Sequence, residues 1–109
     1  MGHELVLETY KITQAFPKDE VFGLTSQLRR AIVSFTSNIA EGFSRKSFKE
    51  KAQFYSVALG SLTETQNQLL IARDIGYLEK KKFDVLAQKT VDLSKMMNSL
   101  IKRSQNRTA

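Results

Sequence analysis

The sequence predicts an all-α protein, an up-down-up-down antiparallel four-helix bundle. Apolar residues recur at three- and four-residue steps along four segments. The links between these segments are short, which makes consecutive helices antiparallel neighbours. One proline and five glycines leave few places for the turns of an all-β fold. The chain reads as a single domain, 1–109, with helices at about 4–16, 24–43, 48–75 and 79–104.

In the first helix Leu5, Thr9, Ile12 and Phe16 form the inner stripe. Val6, Leu7 and Tyr10 lie off it, so a second face is apolar and suits burial on two sides or a subunit contact. Leu5 already lies on the stripe, so a short first helix or a trimmed start is expected. Pro17 stops the helix, because the residue before a proline is pushed out of the α region. A connector follows, with room for one helical turn at 18–21.

The second helix carries the longest pattern, GLTSQLRRAIVSFTSNIAEGFSR from Gly23 to Arg45. Leu24, Leu28, Ala31, Ile32, Phe35, Ile39 and Gly42 fall on one side. Arg30, Ser34, Ser37 and Glu41 fall on the other, flanked by Gln27 and Asn38. Thr25 and Ser26 are candidate caps for its start. The polar face fits either a partly buried seam against another helix or subunit, or a ligand or nucleic-acid surface. Its small hydroxyls favour the seam, because they let another backbone approach.

Ser47–Phe48–Lys49–Glu50 is a capping box that opens the third helix. Its stripe is Phe48, Ala52, Tyr55, Leu59, Leu62, Leu69 and Leu70, with Val57, Gly60 and Ile71 on the far side. A glycine inside a helix costs about 1 kcal/mol relative to alanine, and close packing of another helix at Gly60 would explain it. That helix belongs either to the same bundle or to a neighbouring subunit. Gly76 is the expected residue just past the helix end. In the fourth helix Phe83, Leu86, Ala87, Thr90, Leu93, Met97, Leu100 and Ile101 face inward. Asp84, Gln88, Lys89, Asp92, Lys95, Asn98 and Lys102 form a solvated face, and 103–109 is expected to fray.

Taken together, the Gly23–Arg45 pattern, Ser47, Glu50, ALGSL at 58–62 and Gly76–Tyr77–Leu78 resemble the four-helix-bundle proteins encoded by intervening sequences in bacterial 23S ribosomal RNA genes. The same family includes a small accessory protein of diversity-generating retroelements. The resemblance covers nearly the whole chain. It implies a homo-oligomer, a pentamer, with a basic surface. For the retroelement relative it implies a partnership with a reverse transcriptase and nucleic acid.

Composition narrows the chemistry. Hydrophobic residues make up 41% and charged residues 26%, as in ordinary globular proteins. With no cysteine, disulfides and thiolate metal sites are excluded, which suits a cytoplasmic protein. No signal peptide or membrane span is read. His3 is the single histidine, there is no Glu-x-x-His pair, and no phosphate-binding glycine loop occurs. Glu41 and Arg30 are about three turns apart, too far for an acid–base pair. The expectation is a non-enzyme with no catalytic residue, no metal and no cofactor.

The 17 Lys and Arg against 11 Asp and Glu give a net charge of +6, which favours polyanions. Arg45, Lys46, Lys49 and Lys51 cluster at the second link, and Lys80–Lys82 cluster at the start of the fourth helix, at the opposite end of the bundle. The lysines at 80–82 sit unfavourably near a helix N-terminus and read equally well as solubilising. Arg29 and Arg30 add to a phosphate surface if exposed, or become interface donors if subunits pack there. Candidate nucleic-acid residues are therefore Arg29, Arg30, Arg45, Lys46, Lys49 and Lys51. Candidate oligomer contacts are Tyr10, Ser34, Asn38, Glu41, Val57, Gly60 and Ile71. No aromatic-basic interleaving occurs, so RNA or DNA binding would be electrostatic and weakly sequence-specific. The competing reading is a protein-binding adaptor, for example a reverse-transcriptase partner, with incidental charge. A blander third reading is an insertion product with no strong host role.

Overall fold

The structure, a computed structural model, describes residues 1–107. It contains α1 (His3–Thr13), a 3-10 turn (Lys18–Glu20), α2 (Leu24–Ser44), α3 (Phe48–Asp74) and α4 (Lys80–Asn106). Helix α3 is the spine, packing along α2 on one side and α4 on the other, while the short α1 lies mainly on α2. The molecule measures 48 × 24 × 18 Å, so its two ends are well separated.

The α2 stripe is buried as its spacing requires. Leu28, Ile32 and Phe35 are fully enclosed, with Ala31, Ile39 and Gly42 beside them. Each large apolar side chain so enclosed contributes about 1.5–3 kcal/mol. Gly42 is the point of closest approach, because a Cβ there would lie 2.5 Å from the buried Tyr55 ring. The Tyr55 ring also meets Phe43 edge-on at 5.7 Å.

The core carries threonines, and four of them, Thr9, Thr13, Thr65 and Thr90, find backbone acceptors. The hydroxyls of Thr9, Thr13 and Thr65 donate to the carbonyls of Leu5, Thr9 and Ser61 at 2.8–2.9 Å. Thr90 donates to the Ala87 carbonyl at 2.7 Å and accepts from Gln66 Nε2 at 3.0 Å, which ties α4 to α3. Satisfied in this way, buried hydroxyls avoid the desolvation cost of an unpaired polar group.

Helix α1 ends at Thr13, three residues before the expected Phe16. The Ala15 and Phe16 amides reach back to the Ile12 and Thr13 carbonyls in tight turns that break the α pattern. Phe16 is still buried, with its ring 5.5 Å from that of Tyr77. The start of α2 is not capped by Thr25 or Ser26. Glu20 of the 3-10 turn accepts from the Leu24 amide at 3.2 Å and from the Tyr77 hydroxyl at 2.9 Å. Thr25 is buried instead.

At α3 the Ser47 hydroxyl accepts from the Glu50 amide at 3.0 Å, as the capping box predicts. The helix closes in a Schellman motif. Gly76 has φ 89°, its amide donates to Arg73, and the Tyr77 amide donates to Ala72. Phe48 and Leu70, placed on the inner stripe by spacing, are exposed at its rim. Because α3 packs on two sides, small residues take its inner positions: Ala58, Ser61, Thr65 and Ala72.

Two expectations for α4 are corrected. Lys89 is not on a solvated face, since its ammonium is shared between Glu4 and Glu8 of α1. The helix also does not fray at Arg103. It runs to Asn106, Ser104 is buried, and the Arg107 guanidinium lies 5.2 Å from the centre of the Phe48 ring. Of the segment expected to fray, 108–109 lies outside the described residues.

Candidate nucleic-acid and oligomer surfaces

Antiparallel packing gathers the end of α2, the start of α3 and the end of α4 at one pole. Seven basic residues collect there: Arg45, Lys46, Lys49, Lys51, Lys102, Arg103 and Arg107. They face two carboxylates, Glu41 and Glu50. Sequence reading found the first four; Lys102 reads there as part of a solvated face, and Arg103 and Arg107 come from the segment expected to fray. What could have found them is the length of the fourth helical pattern, which returns its basic end to the second link.

The seven are not equivalent. Lys51 Nζ donates to the Gly42 and Phe43 carbonyls at 3.1 and 2.9 Å, so it caps α2 at the negative end of that helix. Arg45 pairs with Glu41 at 2.9 Å and lies 4.7 Å from the centre of the Phe54 ring. That pair is exposed and contributes less than about 1 kcal/mol. Lys46, Lys49, Lys102 and Arg103 are exposed and hold no ion pair among the described residues. With Arg107, which is also exposed and lies over the Phe48 ring, these four give the pole its accessible charge.

Arg29 and Arg30 part company. Arg29 reaches across to α1, where Nε donates to the Thr13 hydroxyl at 2.8 Å and a terminal nitrogen to the Tyr10 carbonyl at 3.4 Å. Its guanidinium also lies 4.6 Å from the centre of the Tyr10 ring. It therefore caps and clamps α1. Arg30 is exposed and borders the outer α2–α3 groove. Both residues lie well along α2 from the basic pole, about 22 Å by helical rise from Arg45.

The polar face of α2 becomes a seam within the chain. Ser34 and Ser61 hydroxyls meet at 2.9 Å across α2 and α3, and Asn38 Nδ2 donates to the Ser34 carbonyl at 2.8 Å. Outside this seam runs a groove lined by Gln27, Arg30, Ser34, Glu64 and Gln68. Among the described residues, Gln68 Oε1 is the one buried side-chain polar atom without a hydrogen-bond partner.

The outer face of α3 is open. Val57, Leu70 and Ile71 are exposed, and a Cβ added to Gly60 would meet nothing within 4 Å. No helix of the same bundle packs there, so the intramolecular explanation for this glycine fails. Tyr10 is also partly exposed, beside Val33 and Arg30 on the α1–α2 side.

Among the described residues there is no cluster of three or more potential metal ligands, and no helix is long and apolar enough to cross a membrane.

Comparison with known proteins agrees with this architecture. The family model for 23S rRNA-intervening sequence protein matches residues 1–99. The chain is similar to a crystal structure of a protein of unknown function from the S23 ribosomal protein family of Bacteroides thetaiotaomicron VPI-5482. The TM-score is 0.86 at 19% identity, over 93% of this chain and 94% of that one. At that identity the likeness establishes the shared fold. No curated protein matches the chain.

Proposed function

The chain belongs to the 23S rRNA-intervening sequence protein family, and from that premise we propose that it is a non-catalytic, homo-oligomeric protein that binds RNA or DNA electrostatically through its basic pole. The observation that carries this reading is the gathering of seven basic residues against two carboxylates at one end of the bundle. Exposed ammonium and guanidinium groups displace counterions from a phosphate backbone, and that term needs no base-specific contact. Repetition of the pole around an oligomer would turn it into a belt.

The open outer face of α3 supports the oligomeric half: it offers exposed apolar side chains beside a small-residue gap. A pentamer is the assembly we propose.

A salt titration with a structured RNA tests the binding half. Affinity should fall steeply as salt rises. Replacing Lys46 and Lys49 with Glu should weaken binding about tenfold or more and flatten the log–log slope by roughly two. No binding at low salt, or binding indifferent to salt, overturns the proposal.

The exposed apolar residues Val57, Leu70 and Ile71 favour a second reading, a protein adaptor whose partner is a reverse transcriptase. A protein partner that survives nuclease, with no RNA affinity in the purified chain, would select it.

A further inference from the structure

At the pole opposite the basic cluster, α1 and the start of α4 do not close on each other. A cleft of about 530 Å³ lies between them. Its apolar wall includes Ile12, Leu78, Val85 and Leu86, and Lys11, Lys81 and Lys82 line it as well. These three lysines hold no ion pair among the described residues. The facing carboxylates are Glu79 and Glu8, and Glu8 is already paired with Lys89. The first turn of α4 contains no acidic side chain, and its N-cap, Glu79, makes no side-chain capping bond. Ammonium groups without ion pairs thus stand beside an apolar wall at the positive end of a long helix.

We propose that this cleft binds a small amphipathic carboxylate, with its alkyl or aryl body against Ile12, Val85 and Leu86 and its carboxylate at Lys81, Lys82 and the first turn of α4. The volume lies within the usual range for small-molecule sites, which are mostly apolar with a few converging polar groups. Charge selects the ligand's head and the wall selects its body. A bound carboxylate also relieves the placement of Lys80–Lys82 at the positive end of α4, which otherwise disfavours that helix. The site stands apart from the polyanion surface, so either can fail alone.

Isothermal titration with dodecanoate, below its micelle concentration, tests the proposal. Saturable binding at about one ligand per chain is expected, with dodecyltrimethylammonium and acetate each about tenfold weaker or worse. The Lys81→Glu/Lys82→Glu double variant alters only exposed side chains and should lose about tenfold or more in affinity at an unchanged circular dichroism spectrum. In the unaltered chain, dodecanoate should protect Lys81 and Lys82 from amine-reactive labelling, read by mass spectrometry. Absent binding, equal binding of the cationic surfactant, unchanged affinity in the double variant, or labelling unaffected by dodecanoate would each overturn it.

Discussion

Gly42 shows how a single residue sets the distance between two helices. A helical glycine is ordinarily a weakness, and alanine would recover about 1 kcal/mol of propensity. Here the added methyl carbon would fall 2.5 Å from a ring that is itself enclosed, at 3% exposure. Overpacking of this kind costs about 1–3 kcal/mol, so the steric term wins. Gly42→Ala should lower stability by about 1–2 kcal/mol, read as a reduced midpoint in urea at an unchanged slope. Arg29 teaches a related lesson about charge. Its sequence neighbourhood suggested a phosphate surface or an interface, yet it serves the C-terminal end of α1, where a cation and the terminal carbonyls attract.

At the scale of elements, α1 is the piece held least by apolar burial. It is short, packs mainly on α2, and meets α4 through Lys89, which bridges Glu4 and Glu8. The hydrogen bond from Lys89, and then its charge, hold the Glu4 carboxyl below its ordinary value of 4.5. The Lys89 ammonium is correspondingly held above its usual range, first by the bond to Glu4 and then by the bond to Glu8. For a carboxyl held low in the folded state, the stabilisation is present above the unfolded value and is lost as pH falls through the folded one. Acidification below about pH 4.5 should therefore loosen α1 on α4. Amide exchange along 3–13, corrected for intrinsic rates, should rise there more than in the rest of the bundle. Lys89→Met should show the looser α1 already at pH 7 and respond less to acid.

These elements also mark how far sequence reasoning reaches. The α2 stripe was legible because one face meets one continuous core, and spacing alone then fixes Leu28, Ile32, Phe35 and Ile39 inside. Helix α3 has two contact sides, so its buried positions drift around the cylinder and are filled by Ala58, Ser61, Thr65 and Ala72. A search for large apolar residues passes over these and selects Phe48 and Leu70. The Gly76 turn was legible because its left-handed φ is a local property. The pairs Glu20–Tyr77, Lys89–Glu4 and Arg107–Phe48 join residues distant in sequence, and no local pattern announces them. For the same reason only part of the basic pole was visible in advance.

On the scale of the whole molecule, the question is what the outer face of α3 is for. A free chain gains nothing from Gly60, since no atom of the bundle approaches it. Alanine there should raise the stability of the isolated chain by about 0.5–1 kcal/mol through propensity alone. A larger side chain at 60 costs the free chain little, because the space is open. In the proposed oligomer the outcome reverses. Val57 and Ile71 flank the glycine on the same face, and a neighbouring backbone could approach only where no Cβ stands in the way. Gly60→Leu should therefore retain the helical spectrum and the fold of the subunit. Its assembly should weaken about tenfold or more, seen by sedimentation equilibrium as a lower mass at equal concentration. If Gly60→Leu assembles as the parent does, subunits do not meet across α3, and the open α1–α2 side around Tyr10 and Val33 becomes the contact to test in the same way.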